Sequence, residues 1–103
     1  MNHFYAIFAT DKPDLERLRS EIRPRHRQYL QEPHPHRVVV RLGGPTLSRC
    51  ETSLNGTLLV VEAASLSEAE AFFADDPYVQ AGLFERVEIR PWSWGLGNPQ
   101  MGA

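Results

Sequence analysis

The chain has 103 residues, 42% of them hydrophobic and 23% charged, with a formal net charge of −2. That composition suits one globular domain with a modest core and excludes a disordered chain, and the near-neutral balance gives nucleic acid or an anionic membrane no footing as partner. The single cysteine, Cys50, excludes an intramolecular disulfide and suits a reducing, cytoplasmic setting.

The apolar run from His3 to Thr10 is too short to span a bilayer. Closed by Asp11-Lys12-Pro13, it reads as a buried first strand followed by a turn. From Asp14 the period changes: Leu15, Leu18, Ile22, His26, Tyr29 and Leu30 recur three or four residues apart, on one face of a helix. Pro24 interrupts this segment, which predicts a helix in two pieces, the second closed off by Pro33 and Pro35. Arg37 to Leu42 is β-branched and reads as a strand ending in a turn at Gly43-Gly44-Pro45. Thr46 to Gly56 is polar, contains Asn55-Gly56, and reads as a loop between antiparallel neighbours.

Thr57 to Glu62 is a second buried strand. Ser65 then caps a helix running to about Ala74, with acids in its first turn. Asp76-Pro77 has the form of a cap and first position for a short helix over Pro77 to Gly82. Val87, Ile89 and Pro91 alternate with Glu88, Arg90 and Trp92, a half-buried strand whose proline marks an edge or an end. Residues 1–94 form one domain on this reading, and 95–103 a flexible tail rich in Gly and Pro. The order strand, helix, strand, strand, helix, strand predicts an α+β, ferredoxin-like βαββαβ protomer, a four-stranded antiparallel sheet with both helices on one face. Strands this apolar predict that the other face is buried against a second copy, a homodimer.

His26 is the first candidate for chemistry, because it sits on the apolar stripe, four after Ile22 and three before Tyr29, and so points towards the interior or a pocket rather than into bulk water. A core histidine satisfied by one hydrogen bond is the other reading. Asp76 has two readings that are compatible: one carboxylate oxygen can cap the short helix while the other orients an imidazole. Asp75 has no role beyond an exposed neighbour. Arg17, Arg19, Arg23, Arg25 and Arg27 read mostly as a solvated helix face, with Arg23 or Arg27 available to an anionic substrate group. His34 and His36, with His3, lack a third well-spaced ligand, so no metal site is expected. Ser48 and Cys50 have no base at fixed spacing, and Leu42-Gly43-Gly44-Pro45 lacks the lysine of a phosphate loop. Trp92 and Trp94 read as packing residues.

Arg23-Pro24-Arg25-His26 with Tyr29-Leu30, Gly44-Pro45, the segment Ala74-Asp75-Asp76-Pro77-Tyr78-Val79-Gln80-Ala81-Gly82, and Val87-Glu88-Ile89-Arg90-Pro91 together resemble the YciI-like (YCII-related) family. The resemblance runs from the first strand to about Trp92, and the Asp-Pro-Tyr segment is its most specific part. Glu32-Pro33-His34-Pro35-His36 departs from it, standing where a glycine-containing turn is frequent. The resemblance implies a dimeric α+β barrel, two protomers paired through their open sheet faces, and a site built on a His–Asp pair at His26 and Asp76. The expectation is then a small, cofactor-independent enzyme doing general acid–base chemistry, elimination or isomerisation, on a small and ring-shaped metabolite. His26 would be the base, Asp76 would orient it, and Arg23 or Tyr78 would bind substrate. The competing class is a non-catalytic dimer that holds a small ligand.

Overall fold

The structure is a computed structural model and describes residues 3–97. The predicted tail is therefore described only over its first residues, and 98–103 lie outside the described part, as do the first two residues of the predicted domain. The elements follow as β1 (His3–Asp11), α1 (Glu16–Gln31), β2 (Val39–Leu47), β3 (Leu54–Ala63), α2 (Leu66–Ala74), α3 (Pro77–Gln80) and β4 (Phe84–Trp92). The strands form one four-stranded sheet in the order β2-β3-β1-β4, with every pairing antiparallel. This is the predicted α+β, ferredoxin-like protomer.

Register explains the core. Ile7 lies opposite Leu59 on one side and Ile89 on the other, so apolar side chains align across three strands on one face. Tyr5, Ile7, Ala9, Leu59, Val61 and Ala63 are buried there, under Ala69, Phe72 and Phe73 of α2. A second cluster of Ile22, Tyr78 and Leu83 joins α1 to α3. Ser65 caps α2 as predicted, its hydroxyl accepting from the Glu68 N–H at 3.2 Å while the Glu68 carboxylate accepts from the Ala64 N–H. Among the described residues, the opposite face carries no helix. Phe8 and Leu42 are 52% and 53% exposed there, and Leu58 and Trp92 are exposed beside them.

Three expectations are corrected. Helix α1 is continuous from Glu16 to Gln31 with Pro24 inside it, rather than two pieces. Pro24 and Ser20, four residues earlier, are both exposed, so the carbonyl that loses its N–H partner belongs to the solvent side. The apolar stripe on the other side holds the two halves in line. Second, Gly43-Gly44-Pro45 is no turn. Strand β2 continues through it after a register shift between Val40 and Leu42, with Pro45 paired to Thr57. An edge strand tolerates proline, because a missing N–H on its outer side breaks no ladder. Third, the loop shrinks to residues 48–53, and Asn55-Gly56 lies within β3. There Gly56 is required for space, since a Cβ would collide with the Ala9 carbonyl oxygen. Strand β4 is an edge strand, as Pro91 predicts. Among the described residues, no helix is long and apolar enough to cross a membrane.

Candidate functional site

His26 faces inward from α1, one turn after Ile22, and is 6% exposed. Asp76 stands at the junction of α2 and α3 and is fully buried. Its Oδ1 accepts from the Tyr78 N–H at 2.8 Å, the predicted cap, with Pro77 opening α3. Both Asp76 oxygens lie 2.9 Å from His26 Nδ1. A carboxylate can only accept, so Nδ1 carries the hydrogen and the tautomer is set. Nε2 has no partner among the described residues, which leaves a lone pair available. The structure thus brings together the two residues that the sequence pairs.

Tyr78 completes a layer beneath this pair. It is 1% exposed, and its ring stacks on His26 with centroids 4.0 Å apart. Burial pushes the phenol pKa up, against the opposing charges of Arg19 and Arg23, so Tyr78 stays protonated at neutral pH.

Arg19 corrects the reading of the basic stretch as a solvated face. It is 4% exposed, with its Nε and NH2 bonded to the Asp11 carboxylate at 2.7 and 3.0 Å. NH2 also donates to the Gly56 carbonyl at 2.8 Å and the Thr57 hydroxyl at 2.9 Å. Among the described residues, NH1 makes only a 3.4 Å contact with the Tyr78 hydroxyl. Burial alone would lower the Arg19 pKa, but the hydrogen bond and charge of Asp11 outweigh it and leave the group firmly cationic. The signal was present in the sequence: Arg19 follows Leu15 by four and precedes Ile22 by three, on the buried stripe.

His26, Arg19 and Tyr78 line a cleft of about 180 Å³ between α1 and the β2–β3 end of the sheet. Arg23 and Arg27 line it as well, exposed at its mouth, while Gly43, Gly44 and Pro45 form the opposite wall. The misread Gly-Gly-Pro segment is therefore the strand that faces the dyad. Of the four candidate residues, His26, Tyr78 and Arg23 line the cleft, and Asp76 stands behind the imidazole.

Asp75 has a partner that sequence reasoning missed. Its Oδ2 lies 2.7 Å from His36 Nε2, which ties the 33–36 turn to the end of α2. Contact with a histidine offsets the poor placement of a carboxylate at a helix C-terminus. Among the described residues, no group of three or more His, Cys, Asp or Glu is placed to hold a metal ion. Cys50 is exposed in the 48–53 turn, away from the cleft, and hydrogen bonds from Thr52 and Ser48 lower its pKa to about 7.

The model of the YCII-related domain matches residues 3–93. Protein YciI of Escherichia coli is 33% identical over 92 residues, covering 85% of this chain and 94% of that protein. An uncharacterised protein of Haemophilus influenzae is 27% identical over 93 residues, with 86% and 95% covered. Among solved structures, 5-chloro-2-hydroxyhydroquinone dehydrochlorinase of Burkholderia phenoliruptrix, in complex with 2,5-dihydroxybenzoquinone, superposes with a TM-score of 0.76. It is 28% identical, over 89% of this chain and 95% of that one. Ribosomal protein S6 of Thermotoga maritima, at 13% identity and a TM-score of 0.56 over 89% of each chain, shares the fold alone. With a match that spans all three helices, every strand and the His26–Asp76 pair, the chain belongs to the YCII-related domain family.

Proposed function

We propose that this protein is a small acid–base enzyme acting on a single-ring metabolite, with His26 as base, Asp76 orienting it, and Arg23 and Tyr78 contacting substrate. The observation that carries this reading is the imidazole held through Nδ1 by a buried carboxylate at 2.9 Å while Nε2 is left free on a cleft. A carboxylate so placed stabilises the imidazolium that forms when Nε2 takes a proton. In an elimination, Nε2 removes a proton from the substrate and the released electron pair moves toward the carbon bearing the leaving group. That bond breaks, the leaving group departs as an anion, and the imidazolium returns its proton to water. In an isomerisation, the same proton is delivered to a different atom of the substrate. Neither sequence needs an oxidant, a metal or an organic cofactor.

The ring-shaped substrate is supported by the dehydrochlorinase, a relative of the same fold that binds a dihydroxyquinone. The cleft volume supports it too, since a cavity of about 150 Å³ holds a benzene ring. The protein works as a homodimer in this proposal, two bare sheet faces closing on each other as a dimeric α+β barrel, in the cytoplasm. Phe8, Leu42, Leu58 and Trp92 would be covered by that pairing.

The test is turnover with two readouts: chloride release from 5-chloro-2-hydroxyhydroquinone, and exchange of ring hydrogens for deuterium in dihydroxyquinones, followed by NMR. Activity that disappears in His26→Ala supports the proposal. Ligands that bind beside His26 with neither reaction faster than in His26→Ala would leave a binding protein.

A further inference from the structure

We propose that the cleft selects its ring substrate as an anion, with Arg23 and Arg27 drawing it in and the NH1 edge of Arg19 and the Tyr78 hydroxyl gripping a charged ring oxygen. This rests on the acid–base reading of the same site and adds the charge state of the substrate and two residues that reading does not use, Arg19 and Arg27.

The charge of the cleft is one-sided. Arg19, Arg23, His26 and Arg27 line it, and among the described residues no carboxylate does. Arg17 pairs with Glu21, Arg41 with Glu62 and Arg90 with Glu88, whereas Arg25, Arg37, Arg49 and Arg86 have no ion pair among the described residues but do not line the cleft. Arg23 and Arg27 make no ion pair among the described residues. Asp11 balances the charge of Arg19, but Arg23 and Arg27 stand four residues apart on one face of α1 as like charges, an arrangement that disfavours the helix on its own. An anion bound across them would relieve that repulsion.

Arg19 supplies direction as well as charge. Asp11, Gly56 and Thr57 take up its Nε and NH2, which locks the guanidinium plane. The NH1 edge is left with one long contact, to the Tyr78 hydroxyl. Because Tyr78 remains a phenol, it can accept from Arg19 and still donate its own hydrogen onward. The Tyr78 ring is already engaged by His26 and by the Arg19 guanidinium 4.7 Å from its centroid, so the hydroxyl is its means of meeting a ligand. Fixed donors of this kind need no reorganisation when negative charge collects on an oxygen beside them. A cleft of about 180 Å³ limits the anion to one ring with small substituents.

Calorimetry with two probes tests this: 2,5-dihydroxybenzoquinone, which is ionised at neutral pH, and its neutral dimethyl ether. The anion is expected to bind about tenfold or more tightly than the ether, as for hydrogen bonds to a charged group. Arg23→Gln with Arg27→Gln, both at exposed positions, should abolish most of that preference and its salt dependence by weakening the anion far more than the ether. In the unaltered protein, side-chain 15N resonances of Arg19 should shift when the anion binds, which a purely structural tie to Asp11 would not do. Equal affinity for the two probes, or a double variant that keeps the full preference, would overturn the proposal. Silent Arg19 resonances on saturation would remove Arg19 from it. These readouts involve no turnover, so a failure of charge selection is distinguished from a failure of the acid–base reading, which chloride release and deuterium exchange test.

Discussion

Replacing Asp76 separates two tasks performed by one carboxylate. In Asp76→Ala the Tyr78 N–H loses its cap acceptor, which costs about 1 kcal/mol. The His26 Nδ1–H is also left buried without a partner, at about 1–3 kcal/mol. The sum, about 2–4 kcal/mol, is a large part of the 5–15 kcal/mol typical of a domain, and corresponds to a fall in Tm of roughly 10–25 °C. Asp76→Asn differs for a geometric reason. The Oδ1 position lies 2.8 Å from the Tyr78 nitrogen and 2.9 Å from His26 Nδ1, so an amide oxygen there accepts from both. The amide nitrogen then sits at the Oδ2 position, donor against donor with Nδ1, at a cost of about 1 kcal/mol. Asparagine should therefore keep most of the stability, while the loss of its negative charge lowers any turnover by about 10²–10⁴-fold. Urea unfolding of the three proteins at neutral pH, followed by circular dichroism, measures the stability order. If alanine and asparagine agree within about 0.5 kcal/mol, neither the cap nor the imidazole tie carries the weight assigned to it.

Asp11→Asn should cost about 3 kcal/mol in the same assay, because it leaves the buried Arg19 cation without its counter-charge, and Arg19→Met in that background should recover part of the loss. Alkylation of Cys50 by iodoacetamide should rise with pH around a midpoint of about 7, and Thr52→Val should move that midpoint upward by removing the largest stabiliser of the thiolate. Burial raises the phenol pKa of Tyr29, helped by the charges of Asp75 and Asp76, and burial also raises that of Tyr78. Both stay protonated in the fold where an unfolded chain would ionise them, so they contribute stability that is complete below the ordinary tyrosine value and declines as pH rises from there towards the folded values. A denaturation series from pH 8 to pH 11 should show that decline, reduced in Tyr29→Phe. Ultracentrifugation at micromolar concentration should show a dimer that Phe8→Glu with Leu42→Glu converts to monomer, and a monomeric parent would leave the bare sheet face needing another cover.

The sequence was most legible where the physics is local and repeated. The period of Leu15, Leu18, Ile22 and His26 placed the imidazole indoors, and Asp76-Pro77 announced a cap before any partner was known. It was least legible where pairing at a distance outweighs local preference. Pro24 and Gly43-Gly44-Pro45 carry strong local signals against helix and strand. Packing along the α1 stripe and pairing with β3 override them, and the carbonyl that Pro24 leaves without its partner lies on the solvent side. Arg19 was misread because a basic residue was assigned by its type rather than by its position on the stripe, and Asp11, the partner that permits its burial, sits on another element. The tie between Asp75 and His36 spans 39 residues, and no spacing rule reaches across such a gap.

The most direct test of the central claim is a crystal structure of the protein with 2,5-dihydroxybenzoquinone bound. The ring is expected in the α1–β2 cleft, with one oxygen within hydrogen-bond reach of His26 Nε2 and another facing the NH1 edge of Arg19. A cleft that stays empty at saturating ligand, or a ring seated in the separate groove by Leu30, Pro33 and Val38, would contradict that claim.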